Sequence, residues 1–139
     1  MSIVVDASVA LAWHFEDEAS DAAESIAQRA FREGIAVPAH WTLEMMNGLL
    51  KGERSKRTSL AATARFLESL TDMTIALEES DPERVVSVVT PLARIHRLSI
   101  YDAAYLELAE RGGFPLATFD ASLARAARQV GIEVLGVAE

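Results

Sequence analysis

Short apolar runs alternate with longer amphipathic segments along the whole chain. Five runs have the length of buried strands and are predicted at 3–5, 35–37, 73–77, 116–118 and 133–135. The segments between them have helical spacing and predict helices at 9–15, 19–33, 41–50, 60–70, 99–110 and 121–130, with another beginning at Asp81. This alternation predicts an α/β protein, a three-layer α/β/α sandwich with a central parallel sheet of about five strands.

Several residues mark the ends of these elements. Ser8 is expected to cap the first helix, and Gly34 is expected to end the second. Pro82 suits the first turn of the helix that follows Asp81, whereas Pro91 falls inside that helix. Because proline lacks an N–H and clashes with the preceding turn, we expect a kink or a break there.

The composition is that of a soluble domain. The 139 residues are 50% hydrophobic, so we expect residues 1–139 to form a single domain with a sizeable core. No apolar run approaches the roughly 20 residues of a membrane helix, and no basic segment precedes the first run as in a signal peptide. The chain has no cysteine, which excludes disulfides and cysteine-ligated zinc. We therefore expect a cytoplasmic protein.

The charge balance is acidic. The chain has 21 Asp and Glu against 13 Lys and Arg, a formal net charge of −8. This balance argues against a bulk electrostatic grip on nucleic acid. It does not exclude an enzyme that cuts a phosphodiester, because bound cations can offset the charge of a local site.

Two aspartates lie where predicted strands end. Asp6 directly follows the run at 3–5, and Asp120 lies just beyond the run at 116–118. Ligands of open parallel sheets collect beyond the carboxyl ends of the strands, so both side chains would face one rim if their strands are neighbours. Each could equally cap the helix that follows it, since aspartate is a favoured N-cap residue.

Two further acids lie among apolar residues on predicted helices. Glu44 and Asn47 are three residues apart and share a helix face, and apolar residues flank Asp102. A buried unpaired charge is costly, so such acids need a partner or a metal. The spacing from Ser99 to Asp102 also fits a capping box, and a solvated helix face would explain Glu44.

The other chemistry-bearing residue types add little. The three histidines have no metal-ligand spacing and are expected to be structural or exposed: His14, His40 and His96. Trp13 and Trp41 are expected to serve in packing. The chain has neither a glycine-rich phosphate loop nor a Gly-x-Ser-x-Gly turn, so the candidate chemistry rests on the acids.

Four segments together resemble the PIN-domain ribonuclease family, in particular the VapC-type toxins of bacterial toxin–antitoxin pairs. They are IVVDASVALAW, PAHWTLEMMNGLL, LSIYDAAYLELA and LATFDASLARAA, in the family's order and at family-like spacing across essentially the whole chain. The third is the most specific match. Some relatives carry a further acid shortly after the aspartate of the fourth motif, where this chain has Ala121 and Ser122. A second metal would therefore bind weakly or only with substrate.

This resemblance implies a metal-dependent endoribonuclease. It places four acids around one pocket as catalytic and metal-binding residues: Asp6, Glu44, Asp102 and Asp120. Three polar residues would orient ligands or waters: Ser8, Asn47 and Thr118. Carboxylates about 4 Å apart repel by roughly 4 kcal/mol per pair at an effective dielectric near 20, so they need a cation or a captured proton. An all-oxygen site selects hard ions, so the expected cofactor is Mg²⁺ or Mn²⁺.

The resemblance also implies partners. We expect an RNA substrate, a homodimer and a cognate VapB-like antitoxin that covers the active site, and we expect no membrane contact. Four basic residues beside the Glu44 helix are candidates for contacts to the RNA backbone: Lys51, Arg54, Lys56 and Arg57. An ordinary solvated helix end is an equally good interpretation of them.

Two other functions compete with this interpretation. A catalytically inactive PIN-like binding module would keep the fold without the chemistry, although all four acids are present. A receiver-type phosphoacceptor domain also uses acids at strand ends with Mg²⁺, but it needs paired acids after the first strand and a lysine after the last. Here the first strand ends in the single Asp6, and GIEVLGVAE contains no lysine.

Overall fold

A five-stranded parallel β-sheet forms the centre of the protein in the computed structural model, which describes residues 2–137. The strands are β1 (Ile3–Val5), β2 (Ile35–Pro38), β3 (Ile75–Glu78), β4 (Leu116–Ala117) and β5 (Val134–Leu135). They lie in the order β3-β2-β1-β4-β5, and every neighbouring pair is parallel. The predicted parallel sheet is confirmed, with boundaries shifted by one or two residues.

Helices connect the strands and cover both faces of the sheet, which confirms the three-layer α/β/α architecture. They are α1 (Ala7–His14), α2 (Asp21–Glu33), α3 (Trp41–Arg54), α4 (Leu60–Leu70), α5 (Pro82–Arg84), α6 (Thr90–His96), α7 (Ile100–Gly112) and α8 (Ala121–Gln129). A 3-10 turn (Glu16–Glu18) follows α1, and a π-helical turn (Val85–Val89) joins α5 to α6. Between residues 2 and 137 no helix combines the length and apolar character needed to cross a membrane.

The strand order explains why the rim near β1 is the place for a site. The chain runs from β1 through β2 to β3 on one side, and then returns to β4 on the other side of β1. Val5 pairs with Ala117, and the Asp6 amide donates to the Ala117 carbonyl at 3.1 Å. Beyond the carboxyl ends of β1 and β4 the connections diverge, which opens a crevice of the kind that binds ligands in such sheets.

The start of α1 corrects one sequence expectation. Asp6, with extended backbone, is the N-cap, and its side chain accepts from the Val9 amide at 3.1 Å. Ser8, expected to be the cap, lies inside the first turn and donates its hydroxyl to Asp6. The helix therefore begins at Ala7, because the carboxylate at the strand end already satisfies a free amide of the first turn.

Two glycines in α3 let α1 approach closely. A Cβ on Gly48 would lie 2.5 Å from the side chain of Leu11, and a Cβ on Gly52 would lie 2.5 Å from the ring of Phe15. Glycine inside a helix costs about 1 kcal/mol relative to alanine, so these positions favour close packing over helix propensity. Because Asp6 precedes α1 and Glu44 lies on α3, this packing also sets the separation of those two acids.

The segment around Pro91 is interrupted, as its sequence predicts. The helical chain passes through the π-helical turn before α6 begins at Thr90, one residue ahead of the proline. The Thr90 amide and hydroxyl both bond to the Val85 carbonyl, the hydroxyl at 2.8 Å. The break forms because Pro91 has no N–H to continue the regular helical bonds.

A buried carboxylate ties α7 to α5. Glu107 is 5% exposed, and its Oε1 accepts from Arg84 at 2.8 Å and from Arg111 at 2.9 Å. A buried carboxylate needs such pairing, because an uncompensated one would be strongly destabilising. The pair with Arg84 holds α7, the helix that carries Asp102, against α5.

Candidate active site

Four acids from separate parts of the chain face the rim beyond β1 and β4. Asp6 caps α1 and Asp120 caps α8, while Glu44 and Asp102 lie in the first turns of α3 and α7. Each therefore sits at or near the N-terminus of a helix, where free amides and the helix dipole favour negative charge. The sequence left open whether Asp6 and Asp120 are caps or site residues, and the structure gives both of them the capping role at this rim.

Asp6 is the most buried of the four acids. It is 5% exposed, and its Oδ1 accepts from the Ser8 hydroxyl at 2.6 Å as well as from the Val9 amide. Its Oδ2 accepts from the Thr118 hydroxyl at 2.5 Å. Burial raises the pKa of Asp6 above its ordinary value, and these hydrogen bonds oppose that rise because they stabilise the carboxylate.

Two hydroxyls join the ends of β1 and β4. The Thr118 hydroxyl donates to Asp6 and accepts from the Asp120 amide at 3.0 Å. The Ser8 hydroxyl donates to Asp6 and accepts from the Phe119 amide at 3.3 Å. These bonds hold the Asp6 carboxylate in one orientation relative to the turn that carries Asp120.

The pKa of Asp102 is raised by its burial and by the charges of the other three acids. Burial is the main reason why the pKa of Asp102 rises from 3.8 to about 6, and the charges of Asp120, Asp6 and Glu44 raise it further, in that order. The Ser99 hydroxyl accepts from the Asp102 amide at 3.1 Å, so half of the expected capping box is present. Without a cation, burial and the cluster therefore favour a proton on Asp102 up to about pH 6.

Glu44 is anchored from α7. The hydroxyl of Tyr105 donates to Glu44 Oε1 at 2.7 Å, and His40 Nε2 lies 3.5 Å from the same oxygen. That histidine nitrogen is enclosed and has no hydrogen-bond partner among residues 2–137. Burial lowers the pKa of His40, although the Glu44 charge opposes this, so the imidazole is neutral near pH 7. Burial, followed by the bond to Glu44, raises the pKa of Tyr105, so its hydroxyl stays protonated and remains a donor.

The sequence did not single out Tyr105, and it assigned His40 only a structural or exposed position. The available signal was spacing: Tyr105 follows Asp102 by three residues and shares its helix face, and His40 precedes Glu44 by four. The spacing could not show that the Tyr105 hydroxyl bonds to Glu44, because these two residues are 61 positions apart in the sequence.

The remaining site candidates lie farther along α3. Asn47 is exposed, one turn after Glu44, and its side chain makes no hydrogen bond to the described part of the chain. Lys51, Arg54 and Lys56 are exposed at the end of α3 and just beyond it. Arg57 is engaged elsewhere: it pairs with Asp17 and Glu18 at 2.8 Å each and covers the Phe15 ring at 4.1 Å.

The donor set fits a hydrated hard cation. All four acids have carboxylate oxygens of the kind that hard cations prefer, and a cation would relieve their mutual repulsion. Within residues 2–137, however, no three Asp, Glu or His side chains are grouped closely enough to hold one ion directly. Mg²⁺ commonly keeps several waters and binds through one or two carboxylates, so it suits this spacing better than a fully protein-bound ion would.

Sequence comparisons agree with the motifs. The family model described as PIN domain matches residues 3–129, a span that contains all four acids. Ribonuclease VapC3 of Pyrobaculum aerophilum is 33% identical over 125 residues, which cover 89% of this chain and 93% of the relative. Ribonuclease VapC3 of Mycobacterium tuberculosis is 29% identical over 124 residues, which cover 89% of this chain and 86% of that protein.

A solved structure has the same fold. The crystal structure of PAE2754 from Pyrobaculum aerophilum matches with a TM-score of 0.71 and 27% sequence identity. The match covers 96% of this chain and 89% of that one. The likeness thus extends over nearly the whole of both proteins.

Proposed function

The chain belongs to the PIN domain family, and on that premise we propose that it is a VapC-type endoribonuclease toxin dependent on Mg²⁺ or Mn²⁺. The observation that carries this proposal is the convergence of four acids, from four elements, at the rim beyond β1 and β4. Support comes from the raised pKa of Asp102, which burial and the charges of the other three acids produce together. We also propose that residues 1–139 form one PIN domain and act in the cytoplasm.

The cation would be held by the acids at the rim: Asp6, Glu44, Asp102 and Asp120. When bound, it would supply an activated water and neutralise charge on the scissile phosphate and the leaving oxygen. Ser8 and Thr118 hold the Asp6 carboxylate through both of its oxygens. Below about pH 6 Asp102 holds a proton in the free protein, and it would release this proton as the positive charge is taken up, so binding should be weaker at lower pH.

RNA would approach an acidic protein through local basic residues. We propose Lys51, Arg54 and Lys56 as contacts to the backbone phosphates, since all three are exposed on the segment that leads away from Glu44. Arg57 would need to break its ion pairs with Asp17 and Glu18 to take part. It is therefore the weakest of the four candidates from the sequence.

A cognate VapB-like antitoxin is part of the proposal. Support comes from the VapC names of the relatives and from the acidic rim, which would attract a basic segment of such a partner. Growth measurements check it: co-expression of the product of the neighbouring gene should suppress the toxicity of this chain. Unchanged toxicity would contradict that pairing.

RNA cleavage should require a divalent cation. We expect purified protein to cut single-stranded RNA in Mg²⁺ or Mn²⁺, and to stop when EDTA is in excess, because the cation would supply the activated water and neutralise charge on the scissile phosphate. The measurement is the appearance of new RNA ends on a gel, with Mg²⁺ restored after EDTA as the control. Undiminished cleavage in excess EDTA would refute the metal-dependent mechanism, and no cleavage under any condition would favour an inactive module.

The protein should be a homodimer that buries apolar helix surface. Four large apolar side chains on helical segments are more than 70% exposed: Leu43, Leu60, Val86 and Ile95. Apolar surface of this kind is often covered by a partner. We expect light scattering at micromolar concentration to give twice the 15.1 kDa of one chain, and a mass near that of one chain would speak against the dimer.

A further inference from the structure

Tyr105 occupies a position that the proposed reaction does not itself explain. Its side chain is 1% exposed, yet it carries a hydroxyl, and a buried hydroxyl is costly unless it is hydrogen-bonded. The hydroxyl donates to Glu44 Oε1 at 2.7 Å. The side chain from α7 thus reaches α3.

Glu44 needs such an anchor. Its side chain is 37% exposed and has several rotatable bonds, so an unrestrained carboxylate would sample many positions. A hydrogen bond to a carboxylate is short and stronger than one between neutral groups. The bond to Tyr105 engages Oε1 only, and Oε2 has no hydrogen-bond partner among residues 2–137.

The anchor comes from the helix that carries Asp102. Tyr105 and Asp102 are three residues apart on one face of α7, so the hydroxyl relates Glu44 to Asp102 through a single rigid element. His40 packs edge-on against the Tyr105 ring at 5.0 Å between centroids, which restricts that ring from the α3 side. The position of Glu44 in the site is therefore set largely from α7.

We propose that Tyr105 is a positioning residue that holds Glu44 in the orientation in which its free oxygen completes the divalent-cation site. This inference rests on the proposed metal-dependent function. Tyr105 touches neither substrate nor cation; it acts through Glu44. Hydrogen-bonding partners of metal ligands typically affect metal affinity by 10- to 100-fold.

The test is Mn²⁺ binding to the full chain by calorimetry, with Tyr105→Phe compared with Tyr101→Phe. Both variants lose one phenolic hydroxyl from α7, but Tyr101 is 56% exposed and makes no hydrogen bond to Glu44. We expect Tyr105→Phe to raise the Mn²⁺ dissociation constant at least about 10-fold, and Tyr101→Phe to leave it within about twofold. RNA cleavage by Tyr105→Phe should recover partly at high Mn²⁺, since the loss is in affinity. A wild-type dissociation constant for Tyr105→Phe would overturn the proposal.

A double-mutant cycle with Glu44→Ala separates positioning from general destabilisation. If the hydroxyl acts through Glu44, Tyr105→Phe has no further effect on Mn²⁺ affinity once the carboxylate is gone. Equal losses of affinity in both backgrounds would overturn the proposal. Should wild type neither bind Mn²⁺ nor cut RNA, the proposed function itself fails, whereas binding and cleavage with an unchanged Tyr105→Phe would reject only this inference.

A spectroscopic measurement covers the case in which Tyr105→Phe does not fold. The chain has two tyrosines, so Tyr105 is the only one left in Tyr101→Phe. We expect Mn²⁺ to change the ultraviolet difference spectrum of that tyrosine, and the change to vanish when Glu44→Ala is added. No Mn²⁺-dependent change in Tyr101→Phe would contradict a link between Tyr105 and the cation site.

Discussion

Replacing Asp6 with asparagine is expected to lower the rate of RNA cleavage at least about a thousandfold while the protein stays folded. Loss of a carboxylate that helps hold a catalytic cation removes several kcal/mol of transition-state stabilisation, and each 1.36 kcal/mol is a tenfold change in rate. The amide has nearly the shape of the carboxylate but lacks its charge. Ser8 and Thr118 donate hydrogen bonds to the two different oxygens of Asp6. The amide nitrogen of an asparagine at this position must therefore replace one of these acceptors.

The fold should survive this change. Asparagine is as good an N-cap residue as aspartate, so the bond to the Val9 amide can persist. Removing a buried charge from a crowded acidic rim offsets part of the cost of the mismatched hydroxyl. Thermal melts should therefore remain cooperative, and cleavage should be lost without loss of structure.

Asp81→Asn is the matched control for Asp6→Asn. Asp81 also caps a helix, since its side chain accepts from the Glu83 amide at 3.1 Å, but it is exposed and lies outside the acid cluster. We expect Asp81→Asn to cleave RNA at the wild-type rate. If Asp6→Asn also retained most of that rate, Asp6 would be a cap residue only and not a principal ligand.

Replacing Asp102 with asparagine is expected to abolish cleavage and yet stabilise the metal-free protein. The pKa of Asp102 is raised from 3.8 to about 6, so its ionisation opposes folding. A shift of this size corresponds to about 3 kcal/mol, and solvent screening of the partly exposed carboxylate reduces the expected gain to about 1–2 kcal/mol. In EDTA above pH 7 this gain should raise the melting temperature by roughly 3–6 °C.

The raised pKa of Asp102 also determines whether the free energy of unfolding rises or falls with pH. Between pH 3.8 and about 6 the native state holds more protons on Asp102 than the unfolded chain does. The free energy of unfolding therefore falls as pH rises through this interval, and the contribution of Asp102 is constant below and above it. Asp6, whose pKa is also raised, adds to the trend in the same direction.

Melts of wild type and Asp102→Asn across pH, in EDTA and in Mg²⁺, measure both effects. The stability advantage of Asp102→Asn should be small near pH 4 and full above pH 7 in EDTA. Saturating Mg²⁺ should reverse it, because only wild type gains the full binding energy. If Asp102→Asn melts below wild type in EDTA and still cuts RNA, Asp102 has only a capping role beside Ser99 and is not a ligand of the cation.

The local interpretation of the sequence was accurate where near neighbours decide the structure. The apolar runs that became β1, β2 and β4 are buried, as continuous hydrophobic strands require. Gly34 ends α2 at a positive φ of 85°, and the helix is interrupted just before Pro91. These features depend on backbone preferences and on the spacing of apolar residues, and a few adjacent residues determine both.

The first helix shows where local signals compete. Ser8 and Asp6 are both good N-cap residues, and the sequence alone left both of them open as the cap of the first helix. The pairing of β1 with β4 places Thr118 and Phe119 beside Asp6 and Ser8, so the serine hydroxyl is used across the strand ends. The choice of cap was thus made by a partner more than a hundred residues away.

By itself, the sequence determined the α/β fold class, the strand and helix segments and the identity of the four acids. Only the tertiary structure decided that β1 lies between β2 and β4, that Tyr105 reaches Glu44, and that Arg57 is held by Asp17 and Glu18. The physical reason is the range of the interactions. Spacing and backbone preference act over a few residues, whereas these contacts join residues 32 or more positions apart and form only when the packed sheet and helices bring them together.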